Sequence, residues 1–127
     1  MKILNHQLLF NILSHSPLFK GIDVTLLQKY MIKIGFKQLI KNKGDVFITA
    51  GDACEELMIP VQGSVKAEMV DFSGKTIKIE DIPAPKPLAA AFLFGNQNQF
   101  PVNVTTLEPT EIFILDKQSV LLLMQME

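Results

Sequence analysis

The sequence contains no arginine: all 12 basic residues are lysines, which stand against 13 acidic residues for a formal net charge of −1. Arginine is the side chain that binds phosphate or carboxylate through two parallel hydrogen bonds. The chain therefore lacks that form of anion recognition, and its charge gives no general attraction to nucleic acid or anionic lipid. If the protein acts on DNA, we expect the DNA-reading part to lie outside this chain.

Cysteine is almost as scarce, because Cys54 is the only one in the sequence. It can form no internal disulfide, which fits a reducing compartment, and one thiolate cannot hold an iron–sulfur cluster. The acidic neighbours Asp52, Glu55 and Glu56 predict a raised pKa for this thiol, which argues against a reactive nucleophile.

Long apolar runs are also missing, since none approaches the roughly 20 residues of a membrane span. The N-terminus has no small-residue cleavage site after its apolar stretch, so a signal peptide is not expected. The expectation is a cytoplasmic protein of one domain, because 127 residues with a hydrophobic fraction of 48% can form a real core.

Helical periodicity appears only at the two ends of the chain. Apolar residues at helical spacing predict helices over 5–14 and 24–34, the second capped by Asp23 and ended by Gly35. A further helix is predicted to start at Lys117, and because it is apolar on most faces it needs a partner.

Between these helices the apolar pattern changes to a period of two, which is typical of strands. Val65, Ala67 and Met69 are predicted to face inward on one strand, and Ile77 and Ile79 on the next. So many short strands with frequent turns predict a closed or two-sheet antiparallel β structure. The predicted strands are 36–40, 46–48, 57–61, 64–70, 76–82, 102–105 and 111–115.

The segment 83–104 interrupts this pattern, and we call it the cassette. It begins with three prolines in five residues, which exclude a central strand there. The run Leu-Ala-Ala-Ala-Phe-Leu-Phe at 88–94 then predicts a short buried helix, ended by Gly95. A short helix between two strand regions is suited to form the wall of a pocket.

Several stretches carry a family resemblance: SPLFKG at 16–21, KGDVFI at 43–48 with Gly51-Asp52, LMIPVQGSVK at 57–66, Gly74, LEPTEI at 107–112 and LDK at 115–117. In this order they resemble the effector-binding β-roll of the CRP/FNR family of bacterial transcription regulators. The resemblance implies a mainly β fold, an antiparallel double-stranded β-helix of the jelly-roll or cyclic-nucleotide-binding type. It divides the chain into a helical segment 1–35, a β-roll 36–116 and the start of a dimerisation helix 117–127. It further implies a homodimer through that helix and a DNA-binding helix-turn-helix domain absent from this chain.

The cassette departs from the members of that family that bind cyclic nucleotides. In those relatives a Gly-Glu pair holds the ribose, and an Arg followed by a hydroxyl residue holds the cyclic phosphate. Here Ala89-Ala90 take the first position, and Gln99-Phe100-Pro101-Val102 occupy the region of the second. A buried phosphate without a cation or several donors would be badly undersatisfied, so no cyclic nucleotide is expected.

What remains is an apolar pocket, and the family resemblance implies a different effector for it. Some family members sense gases such as nitric oxide through haem, including regulators of nitrosative stress, so haem is the candidate cofactor. Met69 is our preferred axial ligand because it is predicted to face inward; His6, His15, Met58 and Cys54 are the others. The predicted lining is Met58, Met69, Leu88, Ala89, Ala90, Phe92, Phe94, Phe100 and Val102.

Two alternatives stand beside this interpretation. The phenylalanines could fill the pocket themselves, leaving a ligand-free dimerisation or interaction scaffold. A cupin-like β-barrel enzyme would need a histidine-rich metal motif, which two distant histidines, His6 and His15, do not supply. The sequence also offers no Ser-His-Asp order and no phosphate-binding loop, so we do not expect an enzyme.

Overall fold

The computed structural model describes residues 1–71, 73–88 and 99–126. In this part of the chain, helices α1 (His6–Leu13) and α2 (Val24–Ile34) precede seven strands, and helix α3 (Lys117–Met126) follows them. The strands are β1 (Lys37–Lys41), β2 (Val46–Ile48), β3 (Glu56–Gln62), β4 (Ser64–Val70), β5 (Thr76–Pro83), β6 (Asn103–Thr106) and β7 (Thr110–Asp116).

The strands form two antiparallel sheets, one in the order β1-β7-β3 and the other in the order β2-β6-β4-β5. Strand β7 lies at the centre of the first sheet, where Phe113 is opposite Gln38 on one side and Ile59 on the other. Sheet connections between distant strands are typical of jelly-roll architectures. The predicted mainly β, two-sheet antiparallel fold is confirmed.

Local capping explains where the first two helices begin and end. The Asn5 side chain accepts a hydrogen bond from the Leu8 N–H at 2.9 Å, and Asp23 does the same for Thr25 at 2.7 Å. Gly35 ends α2 with a φ of 87° and donates its N–H to the Met31 carbonyl. The predicted bounds of α2 are confirmed, as are those of β2 and β4.

The helical N-terminal part packs on the first sheet through aromatic rings. Phe36 stands between Phe10 of α1 and Phe113 of β7, with ring centroids 5.5 and 5.4 Å apart. Phe10 and Phe113 are completely buried, and such ring pairs add to the stability from burial alone. The helices are thereby held against β7.

The predicted inward side of β5 is wrong. Ile77 and Ile79 are 63% and 59% exposed, whereas Ile82 is buried. The pairing register explains this exposure. Val65 of β4 lies opposite Ile82, and only every second residue of β5 lies on the same face of the sheet as Ile82, which excludes Ile77 and Ile79. Leu26, one of the apolar residues of α2, is also exposed at 40%. The predicted helix 88–94 lies outside the described residues, apart from Leu88.

The turn between β3 and β4 depends on Gly63. Its φ is +87°, and a Cβ placed there would lie 2.5 Å from the Pro109 carbonyl oxygen and 2.6 Å from the Thr110 hydroxyl. A side chain would therefore meet both backbone strain and a backbone clash with the segment that leads into β7. Glycine lets the β3–β4 turn lie directly against the segment that leads into β7.

We expect Gly63→Ala to lower the free energy of unfolding by about 2–4 kcal/mol, since both strain and clash act there. Gly74→Ala is the matched control, because Gly74 also has a positive φ but no described atom beyond its chain neighbours lies within 4 Å of the place that a Cβ would take. That control should cost only about 1–2 kcal/mol. Urea unfolding followed by circular dichroism measures both, and equal losses would contradict the proposed clash.

Candidate functional site

The start of the cassette is anchored on strand β3. The Leu88 N–H donates to the Met58 carbonyl at 2.9 Å, and the two residues form an isolated antiparallel bridge. Leu88 is only 2% exposed and belongs to the main hydrophobic core, while Met58 packs against that core. Two of the predicted pocket residues are thereby brought together.

The end of the cassette is anchored on the loop that follows β2. The Phe100 N–H donates to the Asp52 carbonyl, and the Gly51 N–H donates to the Phe100 carbonyl, each at 2.9 Å. One residue earlier, Gln99 forms an isolated bridge with Ala53. Phe100 itself is 4% exposed and lies in the core.

These contacts use backbone N–H groups near Phe100 that could otherwise bind a ligand. The Phe100 N–H is already bonded to Asp52, and Pro101 has no N–H. The Asn103 side chain, further along, accepts a hydrogen bond from the Ala50 N–H at 2.7 Å. Phe100 and Pro101, which the family resemblance predicts to lie in the region of the phosphate-binding triplet, thus offer no free backbone donor.

The other predicted pocket residues fall into three groups. Val102 is half-buried and packs against the core, close to Phe100 in sequence. Met69 shares the face of Val65 and Ala67 on β4 but is 38% exposed, so it is not the enclosed residue that alternation indicated. Outside the described residues lie Ala89, Ala90, Phe92 and Phe94, and their roles stay predictions.

The two histidines both lie near α1, but in different surroundings. His6 packs its ring edge against Phe36, with centroids 5.3 Å apart. The His15 Nδ1 lies 2.8 Å from the Asn11 carbonyl oxygen, which requires that this nitrogen donate. His15 also borders a groove of about 310 Å³ with Ala84 and Pro85, next to the start of the cassette, a proximity that the sequence pattern did not indicate.

The described ranges 1–71, 73–88 and 99–126 contain no group of three or more His, Cys, Asp and Glu side chains that could hold a metal ion. Within the same ranges, no helix is both long and apolar enough to cross a bilayer.

Cys54 is 2% exposed. Burial raises the pKa of the Cys54 thiol, and the nearby Lys117 ammonium lowers it by a smaller amount. The predicted raised pKa is confirmed, but its leading cause is desolvation, not the acidic neighbours in sequence.

A raised pKa leaves less thiolate near neutral pH, so the native Cys54 thiol should react slowly with the thiol reagent DTNB at pH 8. We expect the rate in the folded chain to be at least about tenfold below that in the urea-unfolded chain, because burial also blocks the reagent. The Cys54→Ser variant gives the background. Equal rates in the folded and unfolded chains would contradict the burial of this thiol.

The start of α3 is fixed by Asp116, which ends β7. Its carboxylate accepts a hydrogen bond from the Ser119 N–H at 2.7 Å, and this bond is the leading cause of the lowered pKa of Asp116.

Three apolar residues of α3 are exposed: Leu121 at 37%, Leu122 at 49% and Met124 at 62%. Leu122 also borders a groove of about 470 Å³ between α2 and α3.

The family model "cyclic nucleotide-binding domain" matches residues 41–127, which include β2 to β7 and α3. No curated protein matches the sequence. A transcriptional regulator from Thermotoga maritima has a similar structure, with a TM-score of 0.70 and 30% identity over 78% of this chain and 76% of that protein.

Two further solved structures share the fold at lower identity. The sensor domain of the transcriptional regulator DNR from Pseudomonas aeruginosa has a TM-score of 0.79 and 18% identity, covering 94% of this chain and 79% of that one. A cAMP-binding acyltransferase from Mycobacterium smegmatis has a TM-score of 0.68 and 18% identity, covering 91% of this chain but only 35% of the enzyme. The family model and the regulator from Thermotoga maritima together show that the chain belongs to the cyclic nucleotide-binding domain family, in its CRP/FNR type of transcription regulators.

Proposed function

We propose that this domain senses an effector other than a cyclic nucleotide and relays its binding to a DNA-binding part outside this chain. The observation that carries the proposal is the commitment of the Phe100 backbone to Gly51 and Asp52. Phe100 and Pro101 therefore offer no free N–H, and the sequence has no arginine, to meet the needs of a buried phosphate.

The proposed effector is haem, or a gas such as nitric oxide bound through haem. The anchored ends of the cassette, Leu88 and Phe100, are apolar and buried, which favours an apolar ligand over a sugar phosphate. Met69, which lies on the same face of β4 as Val65 and Ala67, is the proposed axial ligand. The similarity to a sensor domain of a transcriptional regulator agrees with a sensory role.

Signal relay would use α3. We propose that its exposed apolar residues, Leu121, Leu122 and Met124, form a homodimer contact with a second chain. An effector that binds one arrangement of the cassette and α3 better than another would shift the population between them. The domain would itself be non-catalytic, although the same fold also occurs within an acyltransferase.

A second candidate is a scaffold that binds no effector. It is favoured by the burial of Leu88 at 2% and Phe100 at 4%, because both already belong to the contiguous core. In that case the pocket would be filled by the protein's own side chains, and α3 would serve dimerisation alone.

Cyclic AMP should leave the thermal unfolding midpoint of the chain unchanged. A ligand present at 100 times its dissociation constant would stabilise the native state by about 2.7 kcal/mol, which a thermal shift assay detects readily. AMP at the same concentration controls for non-specific binding of a nucleotide to the surface. A clear rise with cyclic AMP alone would overturn our interpretation of the cassette.

Haemin titration followed by absorbance tests the proposed cofactor. If haem binds, we expect a sharp, saturable Soret band distinct from that of free haemin, and its loss or displacement in Met69→Leu. Met124→Leu is the matched control, since Met124 is also exposed but lies on α3. Absorbance of free haemin alone would favour the scaffold, and a band unchanged by Met69→Leu would exclude that residue as the ligand.

A further inference from the structure

Strand β7 carries a carboxylate in a fully buried position. Glu111 is 0% exposed, and its oxygens accept three hydrogen bonds from neutral donors. Oε1 accepts from the Leu4 N–H at 2.7 Å and from Gln62 Nε2 at 2.8 Å, while Oε2 accepts from Gln38 Nε2 at 2.9 Å. Nothing in the sensory role proposed above uses this group.

The two glutamines extend this network to the backbone of the N-terminal segment. Gln38 Nε2 also donates to the Leu4 carbonyl at 3.0 Å, and Gln62 Nε2 donates to the Lys2 carbonyl at 2.8 Å. Residues 2–4, which we call the strap, are thus held through one N–H and two carbonyl groups.

The side chains of the strap contribute much less to this grip. Lys2 and Ile3 are exposed, the latter at 50%, and Leu4 alone is partly buried against the core. Hydrogen bonds from protein side chains to a peptide main chain do not distinguish the residues that the peptide carries. The contacts therefore select for an extended backbone with an N–H at the position of Leu4.

We propose that Gln38, Glu111 and Gln62, which we call the cradle, form a binding site for an extended peptide backbone. The strap is its resident ligand, and the N-terminal segment of a second copy of this chain can replace it. The cradle lies on three adjacent strands, with Gln38 on β1, Glu111 on β7 and Gln62 on β3. Those strands hold its side chains at a fixed spacing.

The hydrogen bonds of the strap make replacement more favourable than release. Release costs free energy, because Glu111 loses its Leu4 donor while Gln38 and Gln62 lose their carbonyl acceptors. A second backbone that supplies the same N–H removes that cost. Because the cradle involves none of the cassette residues, peptide binding there is independent of the identity of the effector.

The test begins with the full chain and the variant Leu4→Pro, which removes the strap's N–H donor and leaves the cradle intact. Leu4→Ala is the matched control, since it shortens the same side chain but keeps the N–H. We expect Leu4→Pro to shift the side-chain amide signals of Gln38 and Gln62 in nitrogen-15 NMR spectra, and Leu4→Ala to leave them near their wild-type positions. Equal shifts in the two variants, or none, would overturn the proposal.

A synthetic acetylated peptide with the sequence of residues 1–7 then tests binding in trans. Added to the Leu4→Pro variant, it should return both glutamine signals to their wild-type positions in a saturable way. A peptide with Ile3→Ser should act equally well, and one with Leu4→Pro should not act. Failure of the wild-type peptide, or equal action of the proline peptide, would show that the strap is only a fixed part of the fold.

Discussion

Burial of β7 along six consecutive residues, Thr110 to Leu115, is the constraint on which the rest of the structure depends. A strand enclosed in this way must find an internal partner for every polar group, since water cannot reach it. Its main chain pairs with β1 on one side and β3 on the other. Its two polar side chains are satisfied as well, Thr110 through the Ser64 and Glu108 carbonyls and Glu111 through the cradle. The turn at Gly63, the position of the strap and the start of α3 all follow from the need to enclose this strand.

The candidate effector site is built on the same frame but at its margin. Leu88 attaches the cassette to the edge of β3, and Phe100 attaches it to the loop after β2, so each sheet holds one end. At both attachments the backbone polar groups are used by the protein itself, and the side chains are apolar. The two attachments therefore combine apolar side chains with main-chain groups that are bonded to the protein itself, which supports the proposal of an effector other than a cyclic nucleotide.

Much of the fold could be predicted from the sequence because capping residues and apolar periodicity indicated the same elements. Asp23 and Gly35 mark the ends of α2, and alternation marks β4, so both were placed at their observed bounds. The inward side of β5 could not be predicted, since isoleucine and charged residues alternate there and only the register against Val65 decides between them. Nor could the role of Glu111, whose hydrogen-bond partners lie 49 to 107 residues away in sequence. The pocket itself was predicted from the cassette, of which the structure places only the two ends.

The double attachment of the cassette has a consequence for how such domains diversify. Leu88 and Phe100, the attachments on either side of residues 89–98, are hydrogen-bonded to Met58, Gly51 and Asp52 through main-chain atoms. Such bonds do not depend on which residues stand between the two attachments. Substitutions in that stretch of sequence can therefore alter its chemical character while both attachments to the scaffold are retained.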